Sequence, residues 1–336
     1  MTGIELLPDG PRRAALRAVL GRAAPGDAAP PGGTAPPGYD EARWDGLGAE
    51  GWLTAAGPGG RAVDLAELAS ELGRARVPSP LHTTVEAAWV GAPVGSACCF
   101  SAAVVASGGV VGGRAAHVPY AEGASVFVVL TGASDLVVVA ARARGVTVRV
   151  RPSYAGDRQA DVAFDGVPVD GVLASGGDAG ERVTLARRRA TLSRSAEAVG
   201  ATAALVEATA AHAATRVQFG GPIGRLQAVQ HRCADMVMDH LAAAGAVEDA
   251  AAALDAGGDA ELELAAAAAL VSSAGVRVAD SAHRVWGGTG YLAEAGIHRW
   301  TRVVRGVAAQ LGGAHSRRVA LAAGLAAGAG WSTHAG

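Results

Sequence analysis

The chain has 336 residues, with 29 basic against 31 acidic side chains for a formal net charge of −2, and half of it is hydrophobic. That length allows two or three domains with ample core, and the near-neutral balance excludes the strongly basic surface a nucleic-acid binder carries. Three cysteines, Cys98, Cys99 and Cys233, two of them adjacent, argue against a secreted disulfide framework or a shared metal and read as small buried residues.

Every basic side chain is Arg and aromatics make up 4%, so the core is built from Ala, Val and Leu. Residues 4–20 can form an amphipathic helix, followed by a Pro/Gly loop over 23–39 with no capacity to pack. Helical spacing returns over 40–53 through Trp44, Leu47 and Trp52. Asp64 is placed to cap a helix beginning LAELASELGRA, and Thr83 or Thr84 to cap another reaching about Val105. Residues 1–107 therefore read as an N-terminal helical domain.

Between 108 and 176 come short β-branched runs, ASVFVVLTG, DLVVVAA, GVTVRVRP and ADVAFDGVPV, each bounded by Gly, Asp or Pro. No helix-length segment separates them, so antiparallel pairing is expected, in five to seven strands. Helical pattern then fills 177–330, in segments near 181–216, 224–256, 259–286, 293–310 and 312–328. The expected fold is mostly α with a central β domain. The first residues, MTGIELLPDGPRR, are too polar for a signal peptide, and no run of about 20 apolar residues escapes Gly, Pro or charge. A soluble, cytoplasmic protein is expected, with neither membrane nor nucleic acid as partner.

Two stretches interrupt the C-terminal helices. The first is RVQFGGPIGRLQAVQHRCADM, from Arg216 to Met236. Its Gly pair allows a tight path, and Pro222 stands at the mouth of the next helix. A bare GGP is equally a plain helix–helix corner. Here, however, an Arg closes one helix, an aromatic sits in the turn, and Gln227, Gln230 and His231 open the next. The second stretch is AHRVWGGTGYLAEAGIHRWTR, from Ala282 to Arg302, whose Gly287, Gly288 and Gly290 let backbone approach a bulky ligand. No strand precedes GGTG, so a Rossmann site is not supported.

The first stretch closely resembles the flavin-binding signature of the acyl-CoA dehydrogenase family, R-x-Q-F-G-x-P-I-x-x-x-Q-A-x-Q-H-x-x-A-D-M. The second resembles the family's A-x-Q-x-x-G-G-x-G-Y-x-x-E. The order helical domain, β domain, helical bundle fits the same family over nearly the whole chain. The resemblance implies FAD as cofactor, bound across a subunit interface, and α,β-dehydrogenation of an acyl-CoA or acyl-carrier-protein thioester. It implies Arg216 on the pyrophosphate, Gln218, Phe219 and Gln227 on the adenosine side, and Gly287 and Gly288 where the backbone passes close. Arg284 stands where the family has Gln, and is equally a donor to phosphate or a surface cation at a helix C-terminus.

The departures are as informative. The family's base, a Glu, sits either 26 residues before the motif Arg or about 24 beyond the first Gly of the GG pair; here those are Ala190 and Leu311. Glu197, about two helical turns after Ala190, is a weak substitute and reads rather as a paired carboxylate among Arg187, Arg188, Arg189 and Arg194, while Glu294 of the second stretch reads as structural. No catalytic residue is assigned, and no metal site is expected. The β domain carries HVPYAEGASVFVV where the family has a T-E-P-x-x-G-S-D-like loop for the flavin ring. Short length, missing loop and missing base resemble the partner-type subunits of heteromeric actinobacterial acyl-CoA dehydrogenases. That resemblance implies a homo-oligomer, or a hetero-oligomer with a longer homologous subunit, and an electron-transfer flavoprotein as electron acceptor. Two alternatives stay open: the fold repurposed for non-redox tailoring chemistry, and a non-catalytic scaffold subunit.

Overall fold

The computed structural model describes residues 11–21, 40–93, 95–101, 103–132 and 134–326. The predicted Pro/Gly loop over 23–39, and the start of the helix expected from residue 4, lie outside them. By its internal contacts the chain divides into two compact units, one made of Met1–Asp27, Arg61–Val77 and Thr191–Gly336, the other of Ala28–Gly60 and Pro78–Ala190.

The helices before the sheets are α1 (Pro11–Leu20), α2 (Glu41–Ala49), α3 (Ala62–Ala75) and α4 (Leu81–Trp89). Asp40 caps α2 by accepting from the Arg43 N–H at 3.1 Å. Asp64 does not cap α3: it lies inside the first turn, and a distant carboxylate takes that role. Asp255 accepts from the Ala62 and Val63 N–H groups at 2.5 and 3.1 Å, satisfying two orphan donors across 193 residues of sequence. The sequence predicts Thr83 or Thr84 as cap of the next helix, but α4 starts one turn earlier, behind Pro80, with no side-chain cap. That helix ends at Trp89 rather than near Val105, because the following residues enter the sheets.

The strands are β1 (Ser96–Cys99), β2 (Val104–Ser107), β3 (Val110–Pro119), β4 (Val126–Leu130), β5 (Asp135–Ala140), β6 (Val146–Pro152), β7 (Arg158–Pro168) and β8 (Gly171–Ser175). They form two four-stranded sheets, β1-β4-β5-β8 and β2-β3-β7-β6. Among the described residues six of them, β3 to β8, lie within 108–176, as the predicted five to seven allow, while β1 and β2 come from the segment expected to be helix. Pairing is antiparallel throughout except β1 with β4. The sheets share one apolar layer, with Phe127 edge-on to Phe164 at 5.8 Å. The opposite face of the first sheet packs against α4 and against Ala179, Val183 and Ala186 of the helix after β8. Strand alternation sends Cys99 into the first layer and Cys98 into the second, so both read correctly as small buried residues.

That following helix, α5 (Gly176–Thr215), is 40 residues long. It is followed by α6 (Gln227–Asp255), α7 (Glu261–Leu270), a π turn at Val271–Gly275, α8 (Val276–Trp286), α9 (Ile297–Gln310) and α10 (Gly313–Ala326). The stretch Glu261–Tyr291 is long and apolar enough to cross a membrane by length and composition, but 72% of its most apolar window is buried in the fold, as a core helix requires. Ala201, Leu205, Met236, Val278, Ala282, Ile297 and Val304 form the heart of this bundle.

Small residues let these helices touch backbone to backbone. A Cβ on Gly73 of α3 would lie 1.9 Å from the Glu197 carbonyl oxygen of α5, and one on Gly200 would lie 1.7 Å from that of Ser70. Thr202 donates to the Val199 carbonyl at 2.8 Å, so its oxygen accepts from His240 Nδ1–H, also at 2.8 Å. Burial, with the nearby Arg74 charge adding, pushes the imidazole pKa down to about 4, so the ring is neutral, with Nε2 unpartnered.

Candidate functional site

The α5 helix ends at Thr215, and Arg216 begins a hairpin of β9 (Val217–Gln218) and β10 (Gly221–Pro222). Its two-residue tip, Phe219-Gly220, has φ of 51° and 79°. Positive φ at both positions is the backbone path that a two-residue hairpin needs. Gly adopts it freely; Phe does so at a cost of about 1 kcal/mol. The Phe219 ring is also 82% exposed. Neither feature helps the isolated chain fold, so the ring is displayed at the expense of local stability. Ile223, whose N–H bonds back to the Arg216 carbonyl at 2.9 Å, anchors the hairpin base by burying with Ala213 and Val285.

Val285 and Trp286 end α8, immediately before Gly287. The Trp286 indole stacks on His212, one turn before Arg216, with ring centroids 4.0 Å apart, and donates to Thr209 at 3.3 Å. Burial, and next the Arg216 charge, lower the His212 pKa, so its ring is a neutral stacking partner. The two stretches, separated by some 70 residues, are therefore held as one corner by a His–Trp stack and an apolar contact beneath it. His212, Thr209 and Trp286 are the residues that reading the sequence missed. A His one helical turn before Arg216 and a Trp abutting Gly287 were the available signals, but helix spacing alone does not say that they meet.

The three glycines of GGTG divide into two kinds. Gly290 is demanded by packing, since a Cβ there would lie 2.8 Å from the Trp286 Cβ and 3.2 Å from Ile297. Gly287 and Gly288 are exposed, and a Cβ on either meets nothing within 4 Å. Gly287 has φ 60° and ψ −144°, a region close to glycine-only. At Gly288 the fold itself gives no reason for glycine.

Arg216, Gln218, Gln227 and Arg284 all lie exposed on this unit. Among the described residues neither Arg216 nor Arg284 has an ion-pair partner. An unpaired guanidinium beside open glycine backbone is a donor set suited to a phosphate. His283 is turned inward, bonding Thr301 at 2.9 Å, and burial lowers its pKa. Among the described residues no cluster of His, Cys, Asp and Glu could hold a metal ion.

The positions where the resemblance implies a base are apolar and buried: Ala190 is fully enclosed and Leu311 is 2% exposed. Glu197 is half-buried on the face of α5 that meets α3, with interactions of its own inside the chain. The nearby arginines make contacts within the chain. Arg189 is buried and stacks over Trp89, Arg187 lies over Phe100, and Arg182 pairs with Asp178. The stretch HVPYAEGASVFVV forms the end of β3, a turn and β4, with the Tyr120 N–H bonded to the Arg158 carbonyl and Glu122 paired with Arg158.

Comparison with known proteins gives a likeness in the C-terminal helices and in the fold. Residues 182–326 match the family described as "Acyl-CoA dehydrogenase, C-terminal domain". Over these residues the chain is similar to the C-terminal domain of acyl-CoA dehydrogenases. A curated family relative, the acyl-CoA dehydrogenase FadE34 of Mycobacterium tuberculosis, is 40% identical over 108 residues, covering 31% of this chain and 15% of FadE34. Across the curated relatives the match spans 15–30% of their own lengths. Solved structures extend the likeness of fold to nearly the whole chain. The ChsE4-ChsE5 complex from Mycobacterium tuberculosis aligns with a TM-score of 0.81 at 23% identity, over 95% of this chain and 98% of that one. Butyryl-CoA dehydrogenase from Megasphaera elsdenii aligns with a TM-score of 0.79 at 17% identity, over 95% and 99%. The predicted fold class, mostly α with a central β segment in the chain, is thus that of the solved acyl-CoA dehydrogenase structures.

Proposed function

We propose that this chain is an acyl-CoA dehydrogenase-type flavoprotein subunit that supplies one side of an FAD site shared across a subunit interface. The observation that carries this reading is the fused corner. Arg216, unpaired and exposed, stands on the unit that the His212–Trp286 stack joins to Gly287 and Gly288, both open to an incoming ligand. In this reading Arg216 meets the pyrophosphate, Gln218, Phe219 and Gln227 line the adenosine side, and Arg284 adds a second cation at the corner. When bound, FAD supplies the hydride acceptor of α,β-dehydrogenation of an acyl thioester, on CoA or a carrier protein.

The residues present fit the pyrophosphate side and not the ring side. With Ala190 and Leu311 at the expected base positions, the base comes from a longer homologous subunit in this reading. The ChsE4-ChsE5 complex, a heteromeric assembly of similar fold, supports that arrangement. An electron-transfer flavoprotein as acceptor and a cytoplasmic location belong to the same proposal. Absorbance near the flavin bands, for the chain alone and co-expressed with a longer homologue, tests it. Colour in either form, lost in Arg216→Ala, supports the reading; absence of flavin from both overturns it.

The empty base positions also favour a second reading, a non-catalytic scaffold or a non-redox enzyme on this fold. Full activity of the complex with Arg216→Ala would favour the scaffold. Product formation without flavin bleaching or an electron acceptor would favour non-redox chemistry.

A further inference from the structure

The Phe219-Gly220 tip lacks the side chain that usually steadies such a turn. An Asn or Asp at the first tip position bonds its own backbone; Phe cannot. Arg225 takes over. It ends the short 3₁₀ turn Ile223–Arg225 and donates from Nη2 to the Phe219 carbonyl. Its guanidinium lies flat over the second glycine: a Cβ on Gly221 would be 2.8 Å from Nη1, 2.9 Å from Cζ and 3.1 Å from Nε. Gly221 does not have positive φ, so its backbone would accept any residue, and the space taken by Arg225 is what calls for glycine. Among the described residues Arg225 has no carboxylate partner that would hold it there instead.

We infer that Arg225 is a positioning residue that locks the hairpin tip in the conformation displaying the Phe219 ring, and that Gly221 exists to admit it. This rests on the proposal that the corner meets flavin, but the clamp can be read without any ligand. Phe219→Trp places an indole at the tip, and the difference in fluorescence anisotropy from the otherwise identical Phe219 chain, which cancels the six native tryptophans, reports how firmly it is held. Arg225→Ala removes the clamp. Gly221→Ala displaces it while touching only the far end of a flexible side chain, so the fold survives, as melting curves would verify.

Each substitution should lower the anisotropy in the ligand-free chain. Each should also weaken FAD binding by the co-expressed complex about fivefold, the worth of one partly exposed hydrogen bond. The double variant should be no worse than either alone, since both remove one interaction. Arg225→Lys, which still reaches the carbonyl, should recover most of the affinity. Unchanged anisotropy and affinity in Gly221→Ala, or additive losses of about 25-fold in the double variant, would overturn the clamp. If no form of the complex binds FAD, the flavin reading fails, and the anisotropy arm alone decides the role of Arg225.

Discussion

The His212 imidazole lies flat on the Trp286 indole, with centroids 4.0 Å apart and planes 13° from parallel. It joins the last turn of α5 to the residue before Gly287. Trp286→Ala removes the stack and the bond to Thr209, and should destabilise the chain by about 3 kcal/mol in chemical denaturation. Trp286→Phe, which keeps an aromatic face, should recover more than half of that. Equal loss in both would mean that the stack contributes nothing beyond bulk.

The charge of Arg216 is felt by His212. Removing a cation makes protonation easier, so Arg216→Ala should raise the His212 pKa toward its ordinary value. The His212 ring signals in an NMR pH titration would read this directly. A pKa that stays put would place the Arg216 guanidinium away from the ring.

Glycine substitutions should separate packing from ligand access. Gly290→Ala drives a methyl into the Trp286 Cβ and should cost 2 kcal/mol or more, at roughly the upper range for overpacking. Gly288→Ala enters open space and should leave the melting temperature within about 1 °C, because surface changes of this kind shift stability by a few tenths of a kcal/mol. Flavin content, by contrast, should collapse in Gly288→Ala, where the added methyl stands between backbone and cofactor. Retained flavin there would remove Gly288 from the site.

Acid should weaken the bundle through His240. The folded pKa of about 4 lies below the ordinary 6.5, so the unfolded chain binds the extra proton between those values. The stability held by the neutral ring is complete above pH 6.5 and is lost as pH falls toward 4, by about 3 kcal/mol at most. Denaturation midpoints from pH 7.5 to 4.5 should fall accordingly, and His240→Leu should flatten that slope. An unchanged slope would assign the acid sensitivity elsewhere.

Long Ala-rich helices, β-branched runs and two extended motifs were legible because each leaves a local signature. Of the expected C-terminal segments, α5 starts five residues early, α6 and α9 start three and four residues late, 259–286 is divided by the π turn into α7 and α8, and the last one's expected end at 328 lies outside the described residues. What escaped depends on distant partners. Ser96–Cys99 reads as helix from its neighbours and becomes a strand because Val126–Val129 pairs with it. Asp64 has the right side chain to cap a helix from Leu65, but α3 starts at Ala62, where Asp255 accepts from the first N–H groups. At the corner, Arg216, Gly287 and Gly288 were visible in the motifs, whereas the His212–Trp286 stack joins residues no motif connects. Nor could one glycine be told from another until packing showed Gly290 enclosed and Gly288 open.

The reciprocal crossing of Gly73 and Gly200 sets a genetic expectation. Each glycine faces a main-chain carbonyl of the opposing helix, at Glu197 and at Ser70. Lesions at the two positions are then one defect reached from two helices, and the same alleles should recur in any screen for lost folding. Second-site suppressors that trim a neighbouring side chain should not arise, because a carbonyl oxygen is present whatever residue carries it.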